Sequence, residues 1–436
     1  MAVKDSFPVV RGPRRKRILI RQLTAVLVFA VVVGGTIVFI RSRTSGNEAG
    51  TTLQLPAASG DGNGPASHVS FLERLIPPPP ERVSGPAAPR SLADLARRLP
   101  LERAVAQLFL FGFTGKDATA PIFPELRRLD VGGLVLDGGN YDAAQQLAGL
   151  ASQLTAAAAN ARHLPPWIMA EQDGGDYSQF PDLPPPQPPG AYKTPADAAA
   201  AFTSAATTLK ALGFNGLLEP DLDLAASSDV GSNALGQRAL SDSPDVVANY
   251  ARRTIAACRQ LQILCAPKHF PGIGAADTTT DEAAAQIGLP LSQLIQRDVV
   301  PFTAAIKAKA TAIVVGEGLY EPDSFVTPAA LSSKIIGGLL RKRLRFGGLA
   351  LTDDLSDPGV SSLVQIPDAA VQAIKAGADM VYISGDMSDQ EAAYAAVLNA
   401  VRSGEISEKR IRQSLLRVLV AKGGYNLLVT KPQSKG

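Results

Sequence analysis

From Ser91 onward, short apolar runs alternate with Ala- and Leu-rich stretches of helical character. The runs fall at 107–113, 132–136, 167–171, 216–224, 263–270, 312–318, 348–354 and 380–384. The helical stretches between them cover 144–161, 195–212, 244–261, 291–309, 330–344 and 367–376, with a last one at 407–422. Continuous apolar strands separated by helices predict a parallel sheet covered on both faces. Eight such strands over about 320 residues predict an α/β fold, a (β/α)8 TIM-like barrel, with the last helix closing it or packing over its base. An open doubly wound sheet is the alternative. No GxGxxG follows the first strand, so a dinucleotide site has no support.

The N-terminal part follows a different pattern. Leu23–Ile40 is an uncharged apolar run, which as a helix spans roughly 27 Å, enough for a bilayer core. Arg14, Arg15, Lys16, Arg17 and Arg21 precede it, and only Arg41 and Arg43 follow closely. The positive-inside bias therefore predicts a single-pass cell-membrane anchor, with a cytoplasmic N-terminus and the barrel extracytoplasmic. A cleaved signal peptide is the rival reading; the run is long for one, and no convincing small-x-small site follows. Residues 41–90, rich in Ser, Thr, Gly, Ala and Pro, read as a linker. The expected organisation is thus a basic segment 1–22, an anchor 23–40, a linker 41–90, a barrel 91–425 and a tail 426–436.

Charge and composition narrow the chemistry. The formal net charge is +3, but residues 1–22 contribute +6, leaving −3 for the rest. The basic balance therefore belongs to the membrane flank and does not indicate a nucleic-acid partner. Two cysteines and three histidines rule out a cysteine-built zinc site and a histidine-rich metal centre. No metal or cofactor is expected. Cys258 and Cys265 read as buried small residues rather than a disulfide. Trp167 reads as core.

Barrel enzymes carry their working residues at the carboxyl ends of the strands. Those ends here hold Glu171-Gln172-Asp173, then Glu219, Asp221 and Asp223, Lys268-His269, Glu317, and Asp353-Asp354. Any one of these could be a helix cap. Ionisable groups at five apolar strand ends are poorly explained by packing, since charges are rarely buried without a partner or a task. Carboxylates with a Lys, a His and an Arg suit a polyhydroxylated substrate. A carboxylate beneath an anomeric carbon can attack it or stabilise an oxocarbenium-like transition state.

These residues carry a resemblance. KHFPGIG (268–274) is similar to the KHFPGHG signature of glycoside hydrolase family 3, in particular its single-domain bacterial β-N-acetylglucosaminidases (β-N-acetylhexosaminidases) that act on cell-wall muropeptides. EQDGG (171–175) resembles the family's DQEGG, GQRALS (236–241) its IGxRSFS, and TDDLSD (352–357) its SDDLSM. The resemblance covers roughly residues 91–425 and implies a (β/α)8 barrel. It also implies that Asp353 is the nucleophile of a retaining glycosidase, and that Lys268, His269, Arg238 and Glu171 bind the sugar. Glu171 is one methylene longer than the family's Asp.

Two departures qualify this. The family's general acid/base is a histidine on the loop after KHFPG; here Ala283 stands at that position, Ile273 replaces an earlier loop histidine, and no histidine follows His269. A second family arginine maps to Gln179. Substitute acids within reach of the sequence are Asp281, Glu282 and Asp277 on the loop, and Glu317 on the next strand. The expected function is a membrane-anchored, exo-acting β-N-acetylhexosaminidase of cell-wall turnover, hydrolysing a glycan or muropeptide. The alternative is a catalytically impaired relative that binds glycans or scaffolds envelope enzymes.

Overall fold

The computed structural model describes residues 90–226 and 234–428. The basic segment 1–22, the proposed anchor 23–40, the linker up to residue 89 and the tail from 429 lie outside the described residues. Among the described residues, no helix is long and apolar enough to cross a membrane.

The sequence pattern gives eight parallel strands: β1 Phe109–Gly112, β2 Gly133–Leu136, β3 Trp167–Ala170, β4 Gly216–Leu217, β5 Leu264–Cys265, β6 Ala312–Val315, β7 Leu349–Asp354 and β8 Met380–Ile383. The ladder runs β5-β4-β3-β2-β1-β8-β7-β6, so the first and last strands of the chain pair directly. The seam between β5 and β6 is spanned just past β5. There Val314 N donates to Pro267 O and Phe270 N donates to Val314 O, each at 2.9 Å, giving a nearly closed barrel.

Side chains alternate across each strand. Phe109, Phe111, Ile168, Ala170, Ile313, Val315 and Ala350 join the outer layer beneath the helices. Leu110, Trp167, Met169, Leu264, Ala266, Val314, Leu349 and Leu351 fill the barrel interior. The final helix, Glu408–Gly424, brings Val418 and Ala421 against that interior from the amino-terminal end. Tyr425 beyond it stacks edge-on against Trp167 (centroids 5.9 Å apart) and shares a hydrogen bond with Thr311. The base of the barrel is therefore plugged, and the carboxyl end is left as the mouth.

The helices of 144–161, 195–212, 244–261 and 367–376 form within a residue or so of their expected limits. The segment 291–309 breaks into Leu291–Gln296 and Val299–Lys307, and 330–344 yields a π-helix, Lys334–Arg343. Met387–Arg402 was not singled out from the pattern; its buried face mixes Gln390, Ala393 and Ala400 with Val397, Leu398 and Val401, so the apolar stripe is interrupted.

One expectation is corrected. Cys258 and Cys265 are buried but form a disulfide, with Cα atoms 6.1 Å apart. Helix Pro244–Leu261 ends in a left-handed Gln262 (φ 55°), and Ile263 N donates back to Cys258 O. This helix-end turn folds the chain back at once into β5 and lays Cys265, on the strand's outer face, against Cys258 on the helix's inner face. A reading of spacing alone does not contain that reversal.

Candidate active site

Strand parity places the site. Leu349 and Leu351 point into the barrel, and past an irregularity in the β7–β8 register between Leu351 and Asp354 the strand brings both Asp353 and Asp354 to the lining of its mouth. By two-residue alternation Met169 leads to Glu171, and Leu264 and Ala266 lead to Lys268. These side chains meet at the carboxyl end, where a cleft of about 570 Å³ opens, a size typical of small-molecule sites.

Asp353 lines the floor of this cleft and is 8% exposed. Its Oδ2 lies 3.6 Å from His269 Nε2. His269 Nδ1 donates to Asp223 Oδ2 at 2.6 Å, and Asp223 also accepts from Ile273 N at 2.7 Å. Burial opposes a charged imidazole, but Asp353 and Asp223 outweigh it and lift the His269 pKa to about 10. An imidazolium is thus held between two carboxylates. Burial in turn raises the Asp353 pKa to about 6, with the His269 cation working against the rise.

Lys268 is fully buried beneath the cleft. Its ammonium is 3.0 Å from Glu171 Oε2 and 3.5 Å from both Asp173 Oδ2 and Glu219 Oε1. Desolvation disfavours that charge, but Asp173, Glu171 and Glu219 prevail and push its pKa well above the ordinary lysine value. Glu171 lines the cleft directly above it. Lys268 is thus placed to orient the Glu171 carboxylate from beneath.

Arg238 enters from the loop before helix Pro244–Leu261, over the ring of Tyr177 (5.4 Å) and 3.5 Å from Asp281 Oδ2. Burial lowers its pKa less than Asp281, Asp221 and Asp173 raise it, so it is a fixed cation. Gln179 does line the cleft, but its Oε1 accepts from Gly138 N at 3.1 Å, tying two mouth loops together. The proline-rich loop behind it is pinned by Gln172, which bonds Ser178 and the backbone of Phe180.

The four candidate substitute acids separate. Asp281 and Glu282 line the cleft and are exposed. Asp277 is exposed and does not line it. Glu317 is fully buried with no hydrogen-bond partner on either oxygen, and a Cβ added to Gly359 would lie 2.5 Å from its Oε2. Burial, then Asp353 and Asp357, raise its pKa well above normal.

Asp137, Asp176, Tyr177 and Asp357 also line the cleft and were not anticipated. Only Asp357 had a visible signal: it stands where the family motif SDDLSM has Met. Asp221, Asp223 and His269 bring one potential ligand atom each within 4.8 Å of one another. The His269–Asp223 hydrogen bond already occupies that contact and fixes the imidazole that faces Asp353.

A carboxylate backed by an imidazolium at the mouth of a barrel, in a cleft rich in hydrogen-bonding groups, has the chemistry to attack a glycosidic carbon. Comparison with known proteins agrees. Residues 101–421 match the glycosyl hydrolase family 3 N terminal domain. The chain is similar to a beta-hexosaminidase of Xanthomonas campestris pv. campestris, 32% identical over 288 residues, covering 63% of this chain and 84% of that one. It is similar in structure to a glycoside hydrolase family 3 β-N-acetylglucosaminidase of Paenibacillus sp. (TM-score 0.71, 30% identity), covering 77% of this chain and 65% of that one. A β-N-acetylhexosaminidase of Beutenbergia cavernae aligns at TM-score 0.67 and 29% identity, over 74% of this chain and 99% of that one. The molecule is a glycosidase. The chain belongs to glycosyl hydrolase family 3, on its beta-hexosaminidase-like side.

Proposed function

We propose that this protein is a membrane-anchored, retaining, exo-acting β-N-acetylhexosaminidase that trims glycans of the cell wall from the outer face of the membrane. The observation that carries the reading is Asp353, lining the cleft at the barrel mouth with His269 3.6 Å away and Arg238 and Glu171 on the same lining. Asp353 attacks the anomeric carbon, Arg238 and Glu171 hold the ring hydroxyls, and water completes hydrolysis with net retention. The apolar run 23–40 and its basic flank support the anchor. The buried disulfide supports an oxidising, extracytoplasmic setting for the barrel.

The test is turnover by the full-length protein, in detergent, of aryl β-N-acetylglucosaminides and muropeptides, with Asp353→Ala beside it. The variant is expected to lose at least 10³-fold in kcat, the scale seen when a nucleophile is removed. Equal rates would remove the enzyme reading. A glycan-binding relative without catalysis is the second reading, favoured by Ala283 at the family's acid position and by Gln179 spent on Gly138. Binding of N-acetylglucosamine in a calorimeter without turnover would select it.

A further inference from the structure

The residue this chain lacks, relative to its family, is a proton donor for the departing sugar. Asp281 is engaged by Arg238, Glu282 stands exposed at the rim, Asp277 is off the cleft, and Glu317 is sealed beneath Gly359. We propose that Asp357, on the turn that follows the nucleophile's own strand, is the general acid/base of this enzyme. The proposal rests on the retaining-hydrolase reading above.

The geometry is local and unusual. Asp357 stands at the cap position of the short helix Pro358–Ser361, where an Asp side chain ordinarily accepts a bond from a helix amide. Here the side chain makes no such bond. The Gly359 amide donates instead to Thr280 O at 2.8 Å, on the same loop that carries Ala283. The Asp357 amide donates to Asp354 O at 2.9 Å and fixes the turn. Released from capping, the half-buried carboxyl lines the cleft beside Asp353.

Its surroundings suit a proton donor. Asp354 and Asp353 face it from β7, Asp281 from the loop after β5, Glu171 from the end of β3, Glu317 from below and Tyr382 from β8. Burial first, then Asp354 and Asp353, raise the Asp357 pKa to about 9. It is therefore a neutral acid at pH 7 while Asp353, at about 6, is mostly ionised.

In the first step an Asp353 oxygen bonds to the anomeric carbon as the glycosidic C–O bond breaks. The leaving oxygen takes the Asp357 proton, which leaves Asp357 as a carboxylate. Esterification removes the Asp353 charge, one of the main anions that kept Asp357 protonated, so its pKa falls and it can act as a base. In the second step Asp357 accepts a proton from water as that oxygen bonds to the anomeric carbon and the Asp353 ester bond breaks. Both carboxyls return to their starting states.

The experiment pairs Asp357→Asn with wild type on an activated aryl glycoside (2,4-dinitrophenyl) and on an unactivated disaccharide. Asn should cost about 10²–10⁴-fold on the disaccharide and far less in the glycosylation of the activated substrate. It should also remove an alkaline limb that wild type shows near pH 9. Added azide should restore turnover of the activated substrate and yield a β-glycosyl azide. Equal losses on both substrates, or a retained alkaline limb, would overturn the assignment, as would the same leaving-group signature in Asp281→Asn. Should Asp357→Asn not fold, the limb of the wild-type profile and the partial activity expected of Asp357→Glu decide. Wild type inactive on every glycoside would sink the hydrolase reading itself. An active wild type with an indifferent Asp357 would sink this proposal alone.

Discussion

His269 is the residue on which the nucleophile's charge depends. It offers one nitrogen to Asp223 and the other to Asp353, and it is the largest of the influences that favour the Asp353 anion. Replacing it with a neutral residue of similar reach, His269→Gln, should therefore raise the Asp353 pKa. Activity is lost as pH falls through that pKa, so the acid limb of kcat/KM, near pH 6 in wild type, should move to higher pH. A pH–rate profile of an activated aryl glycoside reads this directly. A limb that stays in place would mean that burial alone sets the nucleophile. At this scale, the positions of Asp353, Glu171 and Lys268 were legible in the sequence, because charged residues stand where continuous apolar strand runs end. That Lys268 would serve under Glu171 was not legible, since it depends on how far β5 carries the ammonium below the floor. Asp357 carried a signal, as an Asp where the family motif has Met, but its place in the cleft did not: an Asp before a Pro-initiated helix reads as a cap, and the structure shows that the cap is unmade, with Gly359 N bonded to Thr280 O.

At the scale of elements, alternating apolar runs and helical stretches sufficed to place all eight strands, because parallel strands buried on both faces leave continuous apolar signatures. The formal strands β4 and β5 are short, yet their extensions still pair: Leu222 N donates to Lys268 O at 2.7 Å, and Lys268 N to Pro220 O at 3.0 Å. The turn chemistry that joins elements was less visible. The left-handed Gln262 that reverses the chain before β5 is the clearest case, and the disulfide depends on it. The bond closes a loop of seven residues' separation, for which loop-closure entropy gives about 2–3 kcal/mol. Urea unfolding of Cys258→Ser/Cys265→Ser, or of reduced wild type, should show a loss of that order. An identical midpoint with and without reductant would mean that the bond contributes nothing to the barrel's stability. The break in 291–309 is likewise local, at Arg297-Asp298, where the buried Asp298 carboxyl has no hydrogen-bond partner, only an ion pair with Arg297 at 3.9 Å, and burial lifts its pKa to about 7 against that cation.

At the scale of the whole molecule, the plugged base leaves the carboxyl end of the barrel as the mouth, and among the described residues that mouth is strongly acidic. Among the described residues, nine carboxyl side chains line the cleft, against Arg238 and His269. Burial raises the pKa values of Asp353, Asp354 and Asp357, and carboxylates lining a cleft with walls of low dielectric would focus a negative potential outward. Ions at 0.1 M would damp that field beyond about 10 Å. A neutral aryl glycoside should therefore show a kcat/KM that is flat with added salt, whereas a glycan bearing a carboxylate near the cleaved sugar should react faster as salt is raised. Salt-independent rates for both would show that the field does not reach the approaching chain. The barrel rim would thus sort approaching sugars by charge before any recognition of shape: a glycan decorated with acid groups would be slowed at the threshold, and a sugar whose nitrogen is left bare and protonated would be drawn in.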